Sequence, residues 1–371
     1  MEDTHFCCYF ARQDALKVFI YFLQVRLEGN RMKVGITEVA ERARVSEATV
    51  SRVINRRQGV SRKTREAVEQ AMADLGYERQ TRGQLVAVVT ELVSNPFFAD
   101  VAERIESVLA PHGLKTVLCP CFPGGVQELD FVTSLADRGV AAVVFLSASN
   151  TLEGADPSAY ELLRSRRIPF VGINGRFEGV SEAPVFSTDD LLAAELAVDH
   201  LHRLGHRRIG MASGPLGNRP ADRRVSGFVS SLARRGVEDP EQWVVRQSYT
   251  VEGGQSAAIS LLGRGATAIV AASDYMALGA IRGARRQGYD VPGDVSVVGY
   301  DGSMIMDFAD PPLTTVRQPA DRLASEAGRS VLALVGNRDV PVGELLFDPE
   351  LVIRASTAAP KEPTPQARPD H

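Results

Sequence analysis

From Leu85 onward the chain repeats one rhythm, a short and continuously apolar run followed by a longer amphipathic stretch. The runs are LVAVV (85–89), KTVLC (115–119), AAVVFL (141–146), PFVGI (169–173), RIGMA (208–212), AIVAAS (268–273) and VSVVGY (295–300). Between them lie amphipathic stretches such as 98–110, 189–204, 219–236, 252–263 and 276–288. Unbroken apolar runs of this length are strands buried on both faces, and helices between them cover those faces. The pattern therefore predicts α/β architecture with doubly wound parallel sheets. It repeats often enough for two sheets, hence two lobes.

In open sheets of this kind a ligand sits beyond the carboxyl ends of the strands. Asn95, Phe97 and Phe98 follow the first run, Ser147 the third, Asn174 the fourth, Ser273 and Asp274 the sixth, and Asp301 the seventh. Arg224 and Tyr249 join them from intervening segments. An arginine, carboxylates, an amide and aromatic faces suit a hydroxyl-rich ligand. Each ligand hydroxyl needs a donor and an acceptor, while rings cover its C–H patches. Structural alternatives stay open at two positions: Asp274 as a helix cap and Asp301 as a loop-shaping residue.

Before the body lies a segment of different rhythm. Thr37 is placed to cap a helix carrying Val39, Ala40 and Ala43, and after a break at Arg44-Val45-Ser46, Ser46 caps a second. A third, capped by Ser61, carries Val68, Met72 and Leu75 and stops at Gly76. Two short helices joined by a tight turn and braced by a third make an all-α helix-turn-helix unit. Its second helix puts Val50, Val53 and Ile54 on one side and Ser46, Thr49, Ser51, Arg52 and Asn55 on the rest. Compact hydroxyls beside one arginine suit a surface that lies close against DNA. Arg52 can fork onto a guanine edge, and Thr37, Ser46, Thr49 and Ser51 can bond phosphates or bases. Charge agrees: residues 33–84 hold eleven Lys or Arg against seven acids, although the whole chain is at -4.

ITEVAERARVSEATVSRVIN and VSRKTREAVEQAMADLGY resemble the headpiece of the lactose/galactose-repressor family of bacterial transcription regulators, nearly residue for residue. Where the family usually has glycine in the turn, this chain has Arg44, which must either accept a left-handed backbone or shift the turn. The resemblance implies that Glu47 and Ala48 choose the operator sequence and that Ser51 and Arg52 make more general contacts. Glu47 could accept from a cytosine amine or serve only the helix dipole.

The body, from about 85 to 357, resembles the same family's effector domain, itself similar to periplasmic sugar-binding proteins. SNPFF, HLHRLGHRRIG, RRVSGF, ASDYMALGAIRGARRQG, VPGDVSVVGYD, PPLTTVRQP and LVIRAST carry the likeness. By position it implies effector contacts from Asn174, Arg224, Tyr249, Asp274 and Asp301, with Phe97 and Phe98 on the first lobe. Gly302 replaces a common second aspartate. YTVEGGQSAA and the general pattern look closest to maltose- and maltodextrin-responsive repressors.

The joint ERQTRGQ (78–84) is about half the family's usual length and lacks the asparagine, alanine and leucine of a minor-groove hinge helix. Arg79 and Arg82 are accordingly expected to give electrostatic contact alone, with no leucine wedge. The expected organisation is an extension at 1–31 that need not belong to the working protein, a head at 32–77, a hinge at 78–84, the body at 85–357 and a Pro-rich disordered tail at 358–371.

Several classes lose ground. ALKVFIYFLQV (15–25) is too short to span a membrane and lacks a signal-peptide cleavage site, so no membrane partner and a cytoplasmic location are expected. Cys7, Cys8, Cys119 and Cys121 make no disulfide framework. His200, His202 and His206 resemble a zinc cluster superficially, but Gly205 interrupts the helix between the last two; no metal and no cofactor are expected. No phosphate loop, nucleophile elbow or catalytic acid/base pair is evident, so no enzyme is expected. The expectation is a homodimeric repressor binding a double-stranded operator, with its grip altered by a small saccharide. Alternatives are a regulator answering to another metabolite, a sugar receptor or a sugar-modifying enzyme.

Overall fold

A computed structural model describes residues 36–54, 59–75, 84–91, 94–121 and 126–361, and the chain divides into two compact units at residues 80 and 81. In the first unit, α1 (Ile36–Ala43), α2 (Glu47–Ile54) and α3 (Arg62–Asp74) pack around Val39, Ala40, Val50, Val53, Val68 and Ala71. So small a core leaves a domain marginal, which gives weight to the end contacts of its helices. Ser46 caps α2, its Oγ accepting from Thr49 N at 3.2 Å, and Ser61 caps α3, accepting from Thr64 N at 3.1 Å. Arg42 reaches from α1 to Asp74 of α3 at 2.9 Å.

Two expectations are refined here. Thr37 is not the cap of α1: it lies inside the first turn, and its hydroxyl donates to Glu47 Oε1 at 2.8 Å, across to α2. Arg44 accepts the left-handed backbone, with φ 53°, while the turn closes normally through Val45 N and Ala40 O at 3.0 Å. The stop at Gly76, Asn55, and the hinge residues Arg79 and Arg82 lie outside the described residues.

The second unit holds two six-stranded sheets. The first is built from β1 (Leu85–Thr90), β2 (Lys115–Pro120), β3 (Ala142–Leu146), β4 (Phe170–Ile173), β5 (Pro184–Thr188) and β11 (Gly343–Phe347), in the order β11-β5-β4-β3-β1-β2, all parallel. The second contains β6 (Ile209–Ser213), β7 (Val244–Arg246), β8 (Ala268–Ala271), β9 (Ser296–Asp301), β10 (Thr314–Arg317) and β12 (Glu350–Val352), in the order β12-β10-β9-β8-β6-β7. Among the described strands β12 alone runs antiparallel, against β10.

Helices α4 (Pro96–Leu109), α5 (Glu128–Asp137) and α6 (Ser158–Ser165) cover the first sheet, and α7 (Asp190–Arg203), α8 (Arg219–Ala233), α9 (Val251–Gly263) and α10 (Asp274–Arg286) the second. Helix α11 (Ala320–Val335) follows β10 but packs Leu323, Ala324, Ala327 and Val331 into the first lobe. Each sheet thus has an apolar layer on both faces, as continuous apolar runs require. The chain passes between the lobes at 188–190, 317–320 and 347–350.

Cys119 and Cys121 are free and buried in the first lobe, where burial pushes the thiols up to about 11 and about 12. They are packing residues, protonated near neutrality. The expected tail boundary at 358 falls too early. Ala358 O accepts from Ser296 Oγ at 3.1 Å and lies 2.9 Å from His206 Nε2, and Lys361 Nζ bonds Asp294 Oδ1 at 2.6 Å. These polar anchors hold residues 358–361 to the second lobe; 362–371 lie outside the described residues.

Candidate nucleic-acid interface and ligand cleft

Helix α2 turns Val50 and Val53 inward and leaves Glu47, Ala48 and Arg52 exposed. Ala48 and Arg52 are four residues apart, and so share one side of the helix. Thr37 and Ser46 are also exposed, while Thr49 and Ser51 are half-buried. Ser46 and Thr49 hydroxyls lie 2.9 Å apart, so part of their capacity is used within the cap. The Glu47 carboxylate sits at the α2 N-terminus, where the dipole favours it, and accepts from Thr37 as well. Neither contact closes its outer face to a base edge.

In the second unit the expected ligand contacts fall into two linked groups. Arg224, on α8 and buried, donates from Nη1 to Asp190 Oδ1 and from Nη2 to the Tyr249 hydroxyl at 2.8 Å. Its guanidinium lies 4.2 Å from the centre of the Tyr300 ring, and Tyr300 donates to Asp190 Oδ1 at 2.8 Å. Tyr249 donates onward to Asn218 Oδ1 at 3.3 Å. Burial alone would lower the arginine pKa, but the surrounding acid and phenols hold it well above its ordinary value. Its Nε is buried without a hydrogen-bond partner. Thr90 Oγ1, Ser213 Oγ and Ser303 Oγ are orphaned in the same way, each at or just beyond the carboxyl end of a strand.

The second group centres on Asp301, whose φ is 111°. Asn95 Nδ2 donates to its Oδ2 and Gln318 Nε2 to its Oδ1, both at 2.8 Å. Gln318 Oε1 then accepts from Asn174 Nδ2 at 3.1 Å and from Thr188 Oγ1 at 2.8 Å. Asn174 is itself held left-handed, φ 62°, and its Oδ1 accepts from Thr188 N at 3.3 Å. Asp274 accepts from Thr315 Oγ1 at 2.6 Å and Ser303 N at 2.9 Å. Burial, together with the Asp301 charge, pushes Asp274 up to about 8; burial pushes Asp301 up to about 6 against the pull of Asn95 and Gln318. Near neutrality the pair therefore keeps one proton.

The structure brings Asn174, Arg224, Tyr249, Asp274 and Asp301 into these groups. It places three other expected contacts differently, Phe97, Phe98 and Ser273. Phe97 and Phe98 meet edge to face at 5.3 Å inside the first-lobe core. Ser273 spends its hydroxyl on capping α10, accepting from Met276 N at 3.2 Å, which also removes the capping alternative for Asp274. Ser147, half-buried and left-handed at φ 48° just beyond β3, donates from N to Ile173 O at 3.1 Å. His206 is a packing residue, its ring 2.9 Å from Thr267 Oγ1 and 3.0 Å from Ser296 Oγ. Among the described residues no group of three His, Cys, Asp or Glu is arranged to hold a metal ion.

Asp190, Asn218, Tyr300 and Gln318 were not anticipated. Gln318 had only a weak sequence signal, a lone amide between Arg317 and Pro319 at the end of the buried strand TTVR. A clasp between the lobes was also unforeseen. Arg223 on α8 reaches both oxygens of Glu344 on β11 at 2.8 Å each, Arg176 Nε meets the same carboxylate at 2.6 Å, and Arg219 pairs with Glu178. Burial opposes the Glu344 charge, but the Arg223 pairing and its neighbours hold the carboxyl down to about 2.

With this geometry in view, comparison with known proteins is specific. Residues 35–80 match the family model described as bacterial regulatory proteins, lacI family, and 198–357 match that of a periplasmic binding protein-like domain. The HTH-type transcriptional regulator MalR of Streptomyces coelicolor is 45% identical over 337 residues, covering 88% of this chain and 98% of that protein. The HTH-type transcriptional repressor CytR of Escherichia coli is 33% identical, covering 87% and 96%. Among solved structures, the transcriptional regulator CelR in complex with cellobiose superposes with TM-score 0.67 at 32% identity, covering 87% of this chain and 99% of that one. The lac repressor dimer bound to operator and an anti-inducer superposes with TM-score 0.70 at 28% identity, covering 88% and 100%.

Proposed function

The chain belongs to the lacI family of bacterial regulatory proteins and is an HTH-type transcriptional regulator, and from that premise we propose that it represses sugar-utilisation genes and releases its operator when a small saccharide, a maltodextrin, enters the cleft. The observation that carries the ligand class is the orphaned Nε of buried Arg224, beside acceptors and donors that already bond one another. A buried cationic N–H without an acceptor is costly. A hydroxyl-rich ligand supplies acceptors for it and donors for Asp190 and Asp301. The kinship with MalR and with a cellobiose-bound regulator supports a saccharide.

The switch needs only unequal binding. A saccharide that exchanges its hydroxyls for the Gln318 and Asn95 contacts at Asp301 favours one lobe arrangement over another. A homodimer presents two copies of α2 to a near-palindromic site. Met304, Ile305 and Phe308, 80%, 57% and 84% exposed beyond β9, are an apolar patch suited to a second copy. A cytoplasmic location follows from this reading, since an operator lies on the chromosome; separately, among the described residues no helix is long and apolar enough to cross a membrane. The cleft residues are assigned to ligand binding, with no turnover.

The test is fluorescence anisotropy on duplexes from the protein's own upstream region, titrated with maltose, maltotriose and cellobiose at fixed salt. Release by maltose or maltotriose at concentrations where cellobiose does nothing supports the reading. Operator binding that no sugar alters removes the saccharide assignment and leaves the regulator.

A further inference from the structure

The left-handed turn residue Arg44 is held at a backbone conformation that glycine adopts freely and a side chain does not. Among the described residues of the head, nothing repays this. The side chain is exposed, and among the described residues its guanidinium makes no ion pair, whereas Arg42 pairs with Asp74 and Arg62 with Glu66. Its position is specific: Arg44 lines an open groove of about 460 Å³ together with Thr37, Ser46 and Glu47, at the N-terminal end of α2. That is the end of the helix whose exposed side chains are expected to read bases.

A cation with no ion pair among the described residues, kept at a backbone cost on the rim of a reading surface, points to a partner outside the chain. We propose that Arg44 is a DNA-contacting residue, whose guanidinium holds a backbone phosphate beside the start of α2 and so fixes the register of that helix in the groove. A planar fork can take two phosphate oxygens at once. Glu41 and Glu47 line the same groove, which makes its floor hostile to a free anion. The phosphate is therefore one delivered by a docked duplex, and inorganic phosphate does not compete for it. A backbone contact of this kind positions the protein without choosing sequence.

The inference rests on the DNA-binding reading, and the experiment separates the two. Full-length protein is titrated by anisotropy onto a duplex selected from a random pool, and onto a scrambled duplex, at several KCl concentrations. R44G relieves the left-handed backbone, so thermal unfolding of the head stays level or moves upward. Affinity falls several-fold on both duplexes alike, and the slope of log K against log salt becomes shallower by about 0.9 per head. R44K returns the slope to that of the unchanged protein, and inorganic phosphate at millimolar concentration leaves all three curves in place. An R44G slope equal to that of the unchanged protein, or an R44K slope that stays shallow, overturns the role of Arg44 while leaving the regulator intact. Failure of the unchanged protein to bind either duplex overturns both.

Discussion

Asn95 Nδ2 lies 2.8 Å from Asp301 Oδ2, joining residues 206 positions apart and one from each lobe. The same amide caps α4, its Oδ1 accepting from Phe97 N at 3.1 Å, so the cap orients the donor that reaches across. Asp301 takes its second bond from Gln318, at the middle crossing of the chain. The carboxylate is thus held jointly by the first lobe and by a segment linking both lobes. Whatever ligand competes for it acts on the lobe arrangement directly.

Replacing Gln318 with Leu removes a donor from Asp301 and an acceptor from Asn174 and Thr188 while roughly keeping volume. Leaving buried polar groups unpaired costs about 1–3 kcal/mol. Urea unfolding of the effector unit should show a lower midpoint with an unchanged slope; a midpoint within error of the unchanged protein would show that water replaces the amide without loss.

Asp274 sets a pH dependence. Its folded value, about 8, lies above its ordinary one of 3.8, so its contribution to stability is full below the ordinary value and is lost as pH rises through about 8. Asp301 loses its share earlier, through about 6. Glu344 runs the other way, contributing above its ordinary value of 4.5 and losing that as pH falls through about 2. His200 and His206, lowered by burial, finish their own change near 6.5. Between pH 7 and 8.5 Asp274 therefore contributes about 1 kcal/mol of declining stability, beside whatever Asp190, whose carboxyl burial also raises, adds in both proteins. Denaturation across that interval should show a decline about 1 kcal/mol steeper in the unchanged protein than in D274N. Equal declines in both would place the proton elsewhere.

Much of the fold was legible because buried strands are written as unbroken apolar runs. The seven runs read from the sequence appear as β1, β2, β3, β4, β6, β8 and β9. Five strands were not read from it, each for a physical reason: β7 and β12 are three residues long, β11, GELLF, exposes Leu345 and Leu346 at a sheet edge, and β5, PVFST, and β10, TTVR, are buried but carry hydroxyl residues that interrupt the apolar run. In the cleft, polar residues at strand ends were visible as candidates. Their partners were not, because Gln318 meets Asn174 across 144 positions and becomes central only through the way the chain crosses between lobes. Phe97 and Phe98 misled for a related reason. Composition marks aromatics as ligand faces, but position on α4 turns these into the core.

The Arg223–Glu344 clasp links the lobes outside the two hydrogen-bonded groups of the cleft. E344Q keeps the shape and removes the charge that Arg223 and Arg176 share. Arg176 is largely exposed and gains little, so most of the loss falls on Arg223, about 1–2 kcal/mol after allowance for solvent. The urea midpoint should fall accordingly, and added salt should lower the unchanged protein toward the variant. A salt response identical in the two proteins would mean that the clasp is already screened.

Arg224 offers the sharpest separation of ligand sensing from DNA binding. Its two Nη groups serve Asp190 and Tyr249, and its Nε is the donor left free. R224K keeps a positive charge against Asp190, so the buried carboxylate remains compensated, but lysine cannot present a fork and a third N–H in one plane. In the absence of sugar the variant should bind the operator with nearly unchanged affinity, since α2 and its contacts belong to the other unit. The sugar concentration needed for half-release should rise at least tenfold, about 1.4 kcal/mol of ligand binding. A half-release concentration equal to that of the unchanged protein would take Arg224 out of the ligand site and leave Asp301 as its anchor. Loss of operator binding without sugar would instead make Arg224 part of the link between the cleft and the head.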